Sequence, residues 1–404
     1  MDVSRRSVLA TLPLAVAGLS GCDQNRRAER LVNRLIRAPA QQRAPAAGLV
    51  VMRDNIVIAQ AAAGDAVLGE HPFTPRSAFR AASISKLAVA LCAEKLGRND
   101  TIDLDQGIRN WLPGFPTNTA AGDAGPSVRA LLSHTGGMTD PEVYWLAHPG
   151  HIETLLGPSA FRSDRQFEYC NLGYGIVATV LERAAGRRFD HLVRDIVFKP
   201  MGLDVGFNWA GVSLKKKRIG ATLYRETETG WQPQIDDKND LQNPEPRILK
   251  TADADLNTYQ LGTNGTLFSP QGGLRANLID LATLAARLKY APSLCEPVWT
   301  LNPAESNGVH DGRYYTQFGT GVQIHPAEES LWPGQTLFGH AGEAYGLYAG
   351  AWYAPDLDIS FAFAVTGTPQ TPPARSSTHP ALNLFTETLM QAVIQAYETS
   401  PAVK

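Results

Sequence analysis

A serine and a lysine lie three residues apart in Ser83-Ile84-Ser85-Lys86. Apolar residues recur at helical spacing from Ile84 to Leu96, so the pair is predicted to lie on one face at the start of a helix. A hydroxyl beside an amine that burial keeps partly neutral is a nucleophile with its own proton acceptor. The Ser83 N–H at this helix start is also a candidate oxyanion donor. The pattern predicts acyl transfer through Ser83.

The same spacing recurs in Ser213-Leu214-Lys215-Lys216. Because two residues at a fixed spacing also arise by chance, the context decides between the two matches. The second match lies in a short basic run with no apolar helix behind it. Ser83 is therefore predicted as the nucleophile, and Ser213 is predicted to lie in a solvated loop.

Tyr169-Cys170-Asn171 is the only YxN in the chain and precedes a helical pattern that begins at Leu172. A phenol within reach of Ser83 can exchange its proton, and an Asn171 amide can hold Lys86 or a substrate carbonyl. The alternative is a packed tyrosine followed by a capping asparagine.

Gly339-His340-Ala341-Gly342 is followed by Glu343 and predicts a glycine-rich edge strand that a substrate can approach closely. His340 would add a polar or cationic group there. Glu343 would supply a second oxyanion N–H.

A competing HxG lies at His134, in Ser133-His134-Thr135-Gly136. It ends a helical pattern, which is typical of a residue that packs rather than reacts. His134 is predicted to lie beneath the site.

The first 22 residues are predicted to be a lipoprotein signal peptide. Paired arginines, Arg5 and Arg6, precede an apolar stretch from Val8 to Leu19, which is typical of twin-arginine export. The stretch ends at Cys22 in a sequence that resembles a bacterial lipobox, although small residues there also suit an ordinary peptidase. Residues 23–45 are predicted as a tether that contains a basic helix. The protein is thus expected to be exported and lipid-anchored, facing the periplasm.

The composition excludes several classes of protein. The 404 residues are 44% hydrophobic and 19% charged, with a formal net charge of -2, so there is no footprint for nucleic acid. Once Cys22 is assigned to the anchor, three cysteines remain without CxxC spacing, so neither a disulfide framework nor a zinc site is predicted. No obligate protein partner is evident.

The motifs occur in the order SxxK, YxN, HxG, and in this order the chain resembles the group of class C β-lactamases, D-alanyl-D-alanine peptidases and family VIII esterases. The resemblance covers about residues 46–396. Further segments that look like landmarks of the group are Phe73-Thr74-Pro75, 127–137, 199–203 and Gly272-Gly273-Leu274.

The resemblance implies an α+β, β-lactamase/transpeptidase-like fold, in which an antiparallel sheet flanked by helices carries an inserted, mostly helical lobe. The strand patterns place the sheet lobe at about 46–85 and 330–396 and the helical lobe at about 86–329. A closing helix is predicted over Ala381 to Ala396.

The resemblance also implies an acyl-enzyme mechanism. Ser83, deprotonated through Lys86 and Tyr169, would attack a carbonyl held by the Ser83 and Glu343 N–H groups, and water would then release the acyl group. No metal or cofactor is implied, and the substrate is a small molecule or a short peptide. Ester or amide hydrolysis, D-Ala-D-Ala carboxypeptidase, D-aminopeptidase and β-lactamase activities all stay open, as does a non-catalytic lipoprotein that binds peptidoglycan or a partner.

One departure from the group bears on the substrate. The β-lactamases of the group carry KTG as the third motif, whereas Ala341 lacks the hydroxyl that helps to bind a substrate carboxylate. If Glu343 faced the cleft, its charge would repel a carboxylate about 4 Å away by roughly 1 to 4 kcal/mol. Weak β-lactam turnover and better hydrolysis of neutral esters or amides are expected.

Overall fold

The computed structural model describes residues 21–38, 43–117, 119–146, 150–234, 258–302, 314–369, 376 and 378–400. The helices are α1 (Gly21–Arg37), α2 (Ser85–Arg98), α3 (Val128–Leu132), α4 (Leu172–Ala185), α5 (Phe189–Val193), α6 (Leu214–Lys217), α7 (Leu278–Ala286) and α8 (Leu384–Glu398). The strands are β1 (Ala46–Arg53), β2 (Ile56–Val67), β3 (His71–Pro72), β4 (Phe79–Arg80), β5 (Leu223–Thr227), β6 (Gly230–Gln234), β7 (Arg275–Ala276), β8 (Trp299–Thr300), β9 (Gln317–Phe318), β10 (Gln323–His325), β11 (Leu337–Ala344), β12 (Leu347–Ala354), β13 (Ile359–Thr366) and β14 (Thr368–Pro369).

A nine-stranded sheet in the order β3-β2-β1-β13-β12-β11-β10-β9-β8 organises the molecule. The β1–β2 hairpin turns at Asp54 and Asn55, which both adopt positive φ, as a tight hairpin turn requires. β1 pairs antiparallel with β13, with Leu49 opposite Phe363, so the two ends of the chain meet in one sheet as the patterns predicted.

Apolar layers cover both faces of the sheet. α1 and α8 pack on one face, and α7 packs on the other, against β12 and β13. Every residue of β12 and β13 is buried, so these strands are continuous apolar runs without alternation. The core on the α7 face continues into the helical lobe around α2 and α4.

The sheet extends further back along the chain than the predicted boundary at about 330. β8, β9 and β10 lie between Trp299 and His325 and join the same sheet, and α7 also packs against it. These strands are two or three residues long, too short to show a period in the sequence. The helical lobe is correspondingly shorter than the predicted range 86–329.

α1 occupies much of the segment that was predicted as a tether. Ala28, Leu31, Val32 and Leu35 are buried against the layer that contains α8. Residues 26–37 are therefore part of the folded domain and not a spacer. The sequence around α1 could not show this, because the apolar stripe of α1 packs against α8, which comes from the far end of the chain.

The predicted export signal falls largely outside the described residues, since residues 1–20 are not among them. α1 begins at Gly21, next to Cys22. No helix within the described residues combines the length and the apolar composition that crossing a bilayer requires.

Replacing Leu35 by alanine tests whether α1 belongs to the domain. Leu35→Ala is expected to lower the free energy of unfolding by about 2 to 4 kcal/mol, because it removes a buried side chain from a packed core. Arg34→Ala, on the exposed side of the same helix, is expected to change it by no more than about 0.5 kcal/mol. Urea unfolding followed by circular dichroism measures both, and equal small effects would mean that α1 is a loosely attached spacer.

Candidate active site

Ser83 lies in a tight turn between a strand and a helix. β4 ends at Arg80, a 3-10 turn spans Ala82–Ile84, and α2 begins at Ser85. Ala82 has a φ of 49°, a left-handed conformation that is strained for a residue with a side chain. Ser85 Oγ holds this turn, because it donates to Ala82 O at 2.6 Å and accepts from Leu274 N at 2.9 Å. The turn leaves Ser83 partly exposed while its neighbours are buried.

Lys86 is fully buried beneath Ser83. Its Nζ lies 3.1 Å from Ser83 Oγ, 2.8 Å from Asn171 Oδ1 and 3.1 Å from Gln271 O. Burial lowers the pKa of Lys86 to about 7, against the opposing effects of Asp140 and Cys170. The two carbonyl oxygens can only accept, so they take two hydrogens and leave the third direction to Ser83. In the neutral amine that direction is a lone pair aimed at the Ser83 hydroxyl.

Tyr169 lies on the other side of Ser83. Its phenol is hydrogen-bonded to Ser83 and to Tyr315, and burial raises its pKa above the ordinary value. Its ring stacks on Tyr315 with centroids 5.1 Å apart, and Lys86 Nζ lies 4.7 Å from the centre of the ring. Near neutral pH Tyr169 is therefore a protonated phenol that can relay a proton, whereas Lys86 is the group that can accept one.

His134 supports the YxN segment from below, where the sequence predicted it. Its ring lies 4.3 Å from that of Tyr169, and its Nδ1 accepts a hydrogen bond from Cys170 N at 3.1 Å. Its carbonyl accepts from Glu168 N. Burial lowers the pKa of His134 well below its usual range, so the ring is neutral.

Asp140 is a site residue that the sequence reasoning missed. Its carboxylate accepts from Asn171 Nδ2 and from Leu172 N, both at 2.8 Å. The first contact orients the Asn171 amide so that Oδ1 faces Lys86, and the second satisfies an N–H at the start of α4. Asp140 lies 31 residues before Asn171, and no local pattern connects the two.

β11 brings the third motif against the turn that carries Ser83. A side chain at Gly342 would place its Cβ 2.7 Å from Ala81 O, so only glycine allows this approach. His340 is buried and donates from Nδ1 to Ala341 O at 2.6 Å. Burial lowers the pKa of His340 to about 3, so it is a neutral group and the cationic alternative is wrong.

β11 lies between β12 and β10, but within the described residues it pairs with β10 only from Leu337 to Gly339. The second half of β11 therefore has one side without strand pairing, which bears on the direction of the Glu343 N–H. Ala341 N donates to Gln323 Oε1 on the β10 side of the strand. Backbone N–H groups alternate along an antiparallel strand, so the Glu343 N–H points to the same side as that of Ala341. The Glu343 N–H therefore points away from the β11–β12 ladder, and its oxyanion role stays a prediction.

A family model described as Beta-lactamase matches residues 32–383. The chain belongs to the β-lactamase family. This confirms the resemblance that the three motifs predicted, together with the fold class.

Two curated relatives of this β-lactamase-family protein match over part of their length. Penicillin-binding protein 4* of Bacillus subtilis is 29% identical over 153 residues, which are 33% of this chain and 31% of that protein. Esterase EstB of Burkholderia gladioli is 28% identical over 161 residues, which are 34% of this chain and 40% of the esterase. The chain therefore spans about a third to two fifths of these relatives.

A solved structure matches almost the whole fold. D-amino acid amidase from Ochrobactrum anthropi SV3, complexed with L-phenylalanine amide, superposes with a TM-score of 0.66. The match covers 93% of this chain and 99% of the amidase chain at 17% identity. At that identity the likeness establishes the fold.

The Glu343 side chain does not point toward the turn that holds Ser83. Side chains alternate along β11, and Gly342 faces that turn, so Glu343 shares the opposite face with Ala341. Glu343 is exposed, and it lines a small crevice with Ala341, Tyr314 and Asn383. A carboxylate at this rim acts through water, which puts its repulsion of an anion near the lower limit of about 1 kcal/mol.

Ser213 is separate from the site and has a structural role. It caps α6, where its Oγ accepts from Lys216 N and donates to Asp204. Lys216 in turn forms a buried ion pair with Asp280. The second SxxK is thus a helix cap next to an ion pair, with Lys215 exposed to solvent.

Removing the charge of Asp140 tests its place in the site. The pKa of Lys86, about 7, predicts that kcat/KM rises with pH through neutrality, since the neutral amine is the active form. The charge of Asp140 raises the pKa of Lys86, so Asp140→Asn is expected to move the rise of kcat/KM to lower pH. It is also expected to lower kcat by roughly tenfold, because the new amide opposes the amide of Asn171.

Asp105→Asn is the matched control, because Asp105 pairs with Arg129 in an exposed ion pair. We expect its pH profile to follow that of the unchanged protein. If kcat/KM of Asp140→Asn rose with pH at the same pH as in the unchanged protein, Asp140 would not act on the pKa of Lys86, even if the rate fell.

Proposed function

We propose that this protein is a serine hydrolase that cleaves ester or amide bonds through an acyl-enzyme on Ser83. The observation that carries the proposal is the buried Lys86 amine, whose pKa of about 7 leaves it largely neutral just above neutral pH and whose third direction is occupied by the Ser83 hydroxyl. A buried lysine held only for stability would need an anionic partner, whereas the groups that face this one are neutral acceptors.

The acylation step transfers the Ser83 proton to Lys86 Nζ as Oγ attacks the carbonyl carbon. The N–H groups of Ser83 and Glu343 hold the oxygen that becomes negative. When the intermediate collapses, Tyr169 gives its proton to the leaving alcohol or amine and recovers a proton from Lys86. The Ser83 ester and the free leaving group are the products.

Deacylation uses the same groups in reverse order. A water molecule gives a proton through Tyr169 to Lys86 and attacks the acyl carbon, and the acid leaves as Ser83 recovers its proton. Asn171 keeps Lys86 in place throughout, and neutral His340 contributes a polar wall without a charge.

Aromatic rings next to Tyr169 favour a substrate with an apolar group. Tyr315 is partly exposed and stacks on Tyr169, whereas Phe167 and Trp299, with centroids 4.1 Å apart, are buried in the core behind the two tyrosines. Flat rings of this kind offer apolar surface with a few polar tips. Neutral esters and amides with apolar side chains fit such a wall.

D-aminoacyl amide or peptide hydrolysis is a second candidate, which Glu343 favours weakly. Its exposed carboxylate lies on the face of β11 away from Ser83, so it attracts the ammonium group of an amino-acid amide, and disfavours a substrate carboxylate, only through water. β-Lactams and D-Ala-D-Ala peptides carry such a carboxylate and therefore rank lower. The intact Ser83, Lys86 and Tyr169 set argues against a purely binding lipoprotein.

We also propose that the enzyme is exported and lipid-anchored at Cys22, with its catalytic domain facing the periplasm. The proposal rests on the paired arginines, the apolar stretch and the lipobox-like sequence.

Loss of the Ser83 hydroxyl is expected to abolish hydrolysis of p-nitrophenyl butyrate, with kcat/KM falling by at least about 10³-fold because no acyl-enzyme forms. Labelling by a fluorophosphonate is expected to disappear in Ser83→Ala. Ser213→Ala, which carries the same change at the second SxxK, should retain both signals. Full labelling of Ser83→Ala would point to another nucleophile, and no labelling of the unchanged protein would favour the binding role.

The substrate preference is tested by comparing p-nitrophenyl butyrate with nitrocefin. We expect a higher kcat/KM for the ester, because Ala341 offers no hydroxyl to a carboxylate. Glu343→Gln is expected to raise nitrocefin turnover by about fivefold, the factor that corresponds to about 1 kcal/mol. It should leave ester turnover nearly unchanged, and nitrocefin turnover above that of the ester would overturn the ranking.

A further inference from the structure

α1 carries a second face that the packing of the domain does not use. Five arginines of this helix are exposed. At 100° per residue they fall within an arc of about 100°, opposite the buried apolar side chains. They are Arg26, Arg27, Arg30, Arg34 and Arg37, and we call them the arginine face.

The charge of four of these arginines, Arg27, Arg30, Arg34 and Arg37, is available to an outside partner. Among the described residues, no ion pair involves Arg27, Arg30, Arg34 or Arg37. Glu29 is the one acidic residue among residues 26–37 of the helix. The chain as a whole has a formal net charge of -2, so this concentration of positive charge is local.

The helix holds the arginine face in a fixed direction. Ala28, Leu31, Val32 and Leu35 anchor the opposite side of α1 in the core, so the arginines cannot turn inward. α1 also begins beside Cys22, the residue proposed to carry the lipid. A lipid there would bring the first turn of the helix to the headgroup layer, and its 17 residues would extend about 25 Å from that point.

We propose that the arginine face binds the anionic headgroups of a phospholipid bilayer and thereby orients the catalytic domain on the membrane. Arginine forms bidentate hydrogen bonds with phosphate and stays charged at every relevant pH. A single lipid chain gives a reversible anchor, and a polybasic surface beside it supplies the second attraction. The inference adds an orientation to the proposed anchoring and does not depend on the hydrolytic activity.

Vesicle binding by the full chain carrying Cys22→Ala tests the proposal without the lipid. Neutral vesicles of phosphatidylcholine are compared with anionic vesicles in which roughly a third of the lipid is phosphatidylglycerol. We expect binding that requires phosphatidylglycerol and weakens as salt rises. The apolar N-terminal stretch is common to all variants, so differences between them report the arginine face.

Arg30→Gln/Arg34→Gln is expected to weaken binding to the anionic vesicles by about 30-fold, since each arginine contributes about 1 kcal/mol near such a surface. Lys215→Gln/Arg218→Gln is the matched control, because it removes the same charge from exposed positions on α6 and the turn after it. We expect the control to bind like the unchanged protein. An equal loss in both variants would mean that binding follows net charge, and binding that ignores phosphatidylglycerol would overturn the proposal.

Hydrolysis of p-nitrophenyl butyrate and the unfolding midpoint are measured on the same samples. Both are expected to be unchanged in the two double variants, because the altered side chains are exposed. If the unchanged protein bound anionic vesicles but did not hydrolyse the ester, the membrane proposal would be supported and the proposed hydrolase function would be contradicted.

Discussion

The burial of one ammonium group beneath Ser83 is the constraint on which the site depends. Taking Lys86 out of water disfavours its charge, and the surrounding groups restore only part of what is lost. Asn171 and Gln271 present carbonyl oxygens and no counter-charge, so the amine is held in place without being locked in its charged form. Asp140 is hydrogen-bonded to Asn171 behind the amine, and its charge raises the pKa of Lys86. Ser83, Asn171 and Tyr169 all lie around that amine.

The fold supplies this environment at the junction of its two parts. β11 comes from the nine-stranded sheet, and the turn of Ser83 joins the short strand β4 to α2. Asn171, Tyr169 and Asp140 come from the helical lobe. The close approach costs conformational freedom, since Ala82 is held in a left-handed conformation and Gly342 admits no side chain. Such local costs persist only where the surrounding packing over-determines the backbone. Here the surrounding packing is continuous, because the core of the helical lobe runs into the α7 face of the sheet.

Much of the site could be predicted from the sequence because its chemistry resides in short motifs. The serine and lysine of the first motif share a helical face whatever the rest of the chain does, and a tight HxG strand is visible as a run of small residues. Asp140 could not be found this way, since its partner is 31 residues away and an isolated aspartate before a proline resembles any turn. The tether prediction for residues 23–45 was wrong for 26–37 for a related reason. Composition shows a basic amphipathic helix but not that α8, at the other end of the chain, covers it.

Residue types and spacing were enough to identify the family and the class of fold and to predict a nucleophile with two proton-handling neighbours, because these depend on local geometry and on the order of motifs. Tertiary packing decided which ionisation states those residues hold, since a pKa is set by burial and by groups that lie far away along the chain. It left His340 neutral and Tyr169 protonated, turned Glu343 away from Ser83, and gave Ser213 a structural task. The reactive residue types can therefore be recognised in short segments, whereas their protonation states arise only where distant segments are packed together.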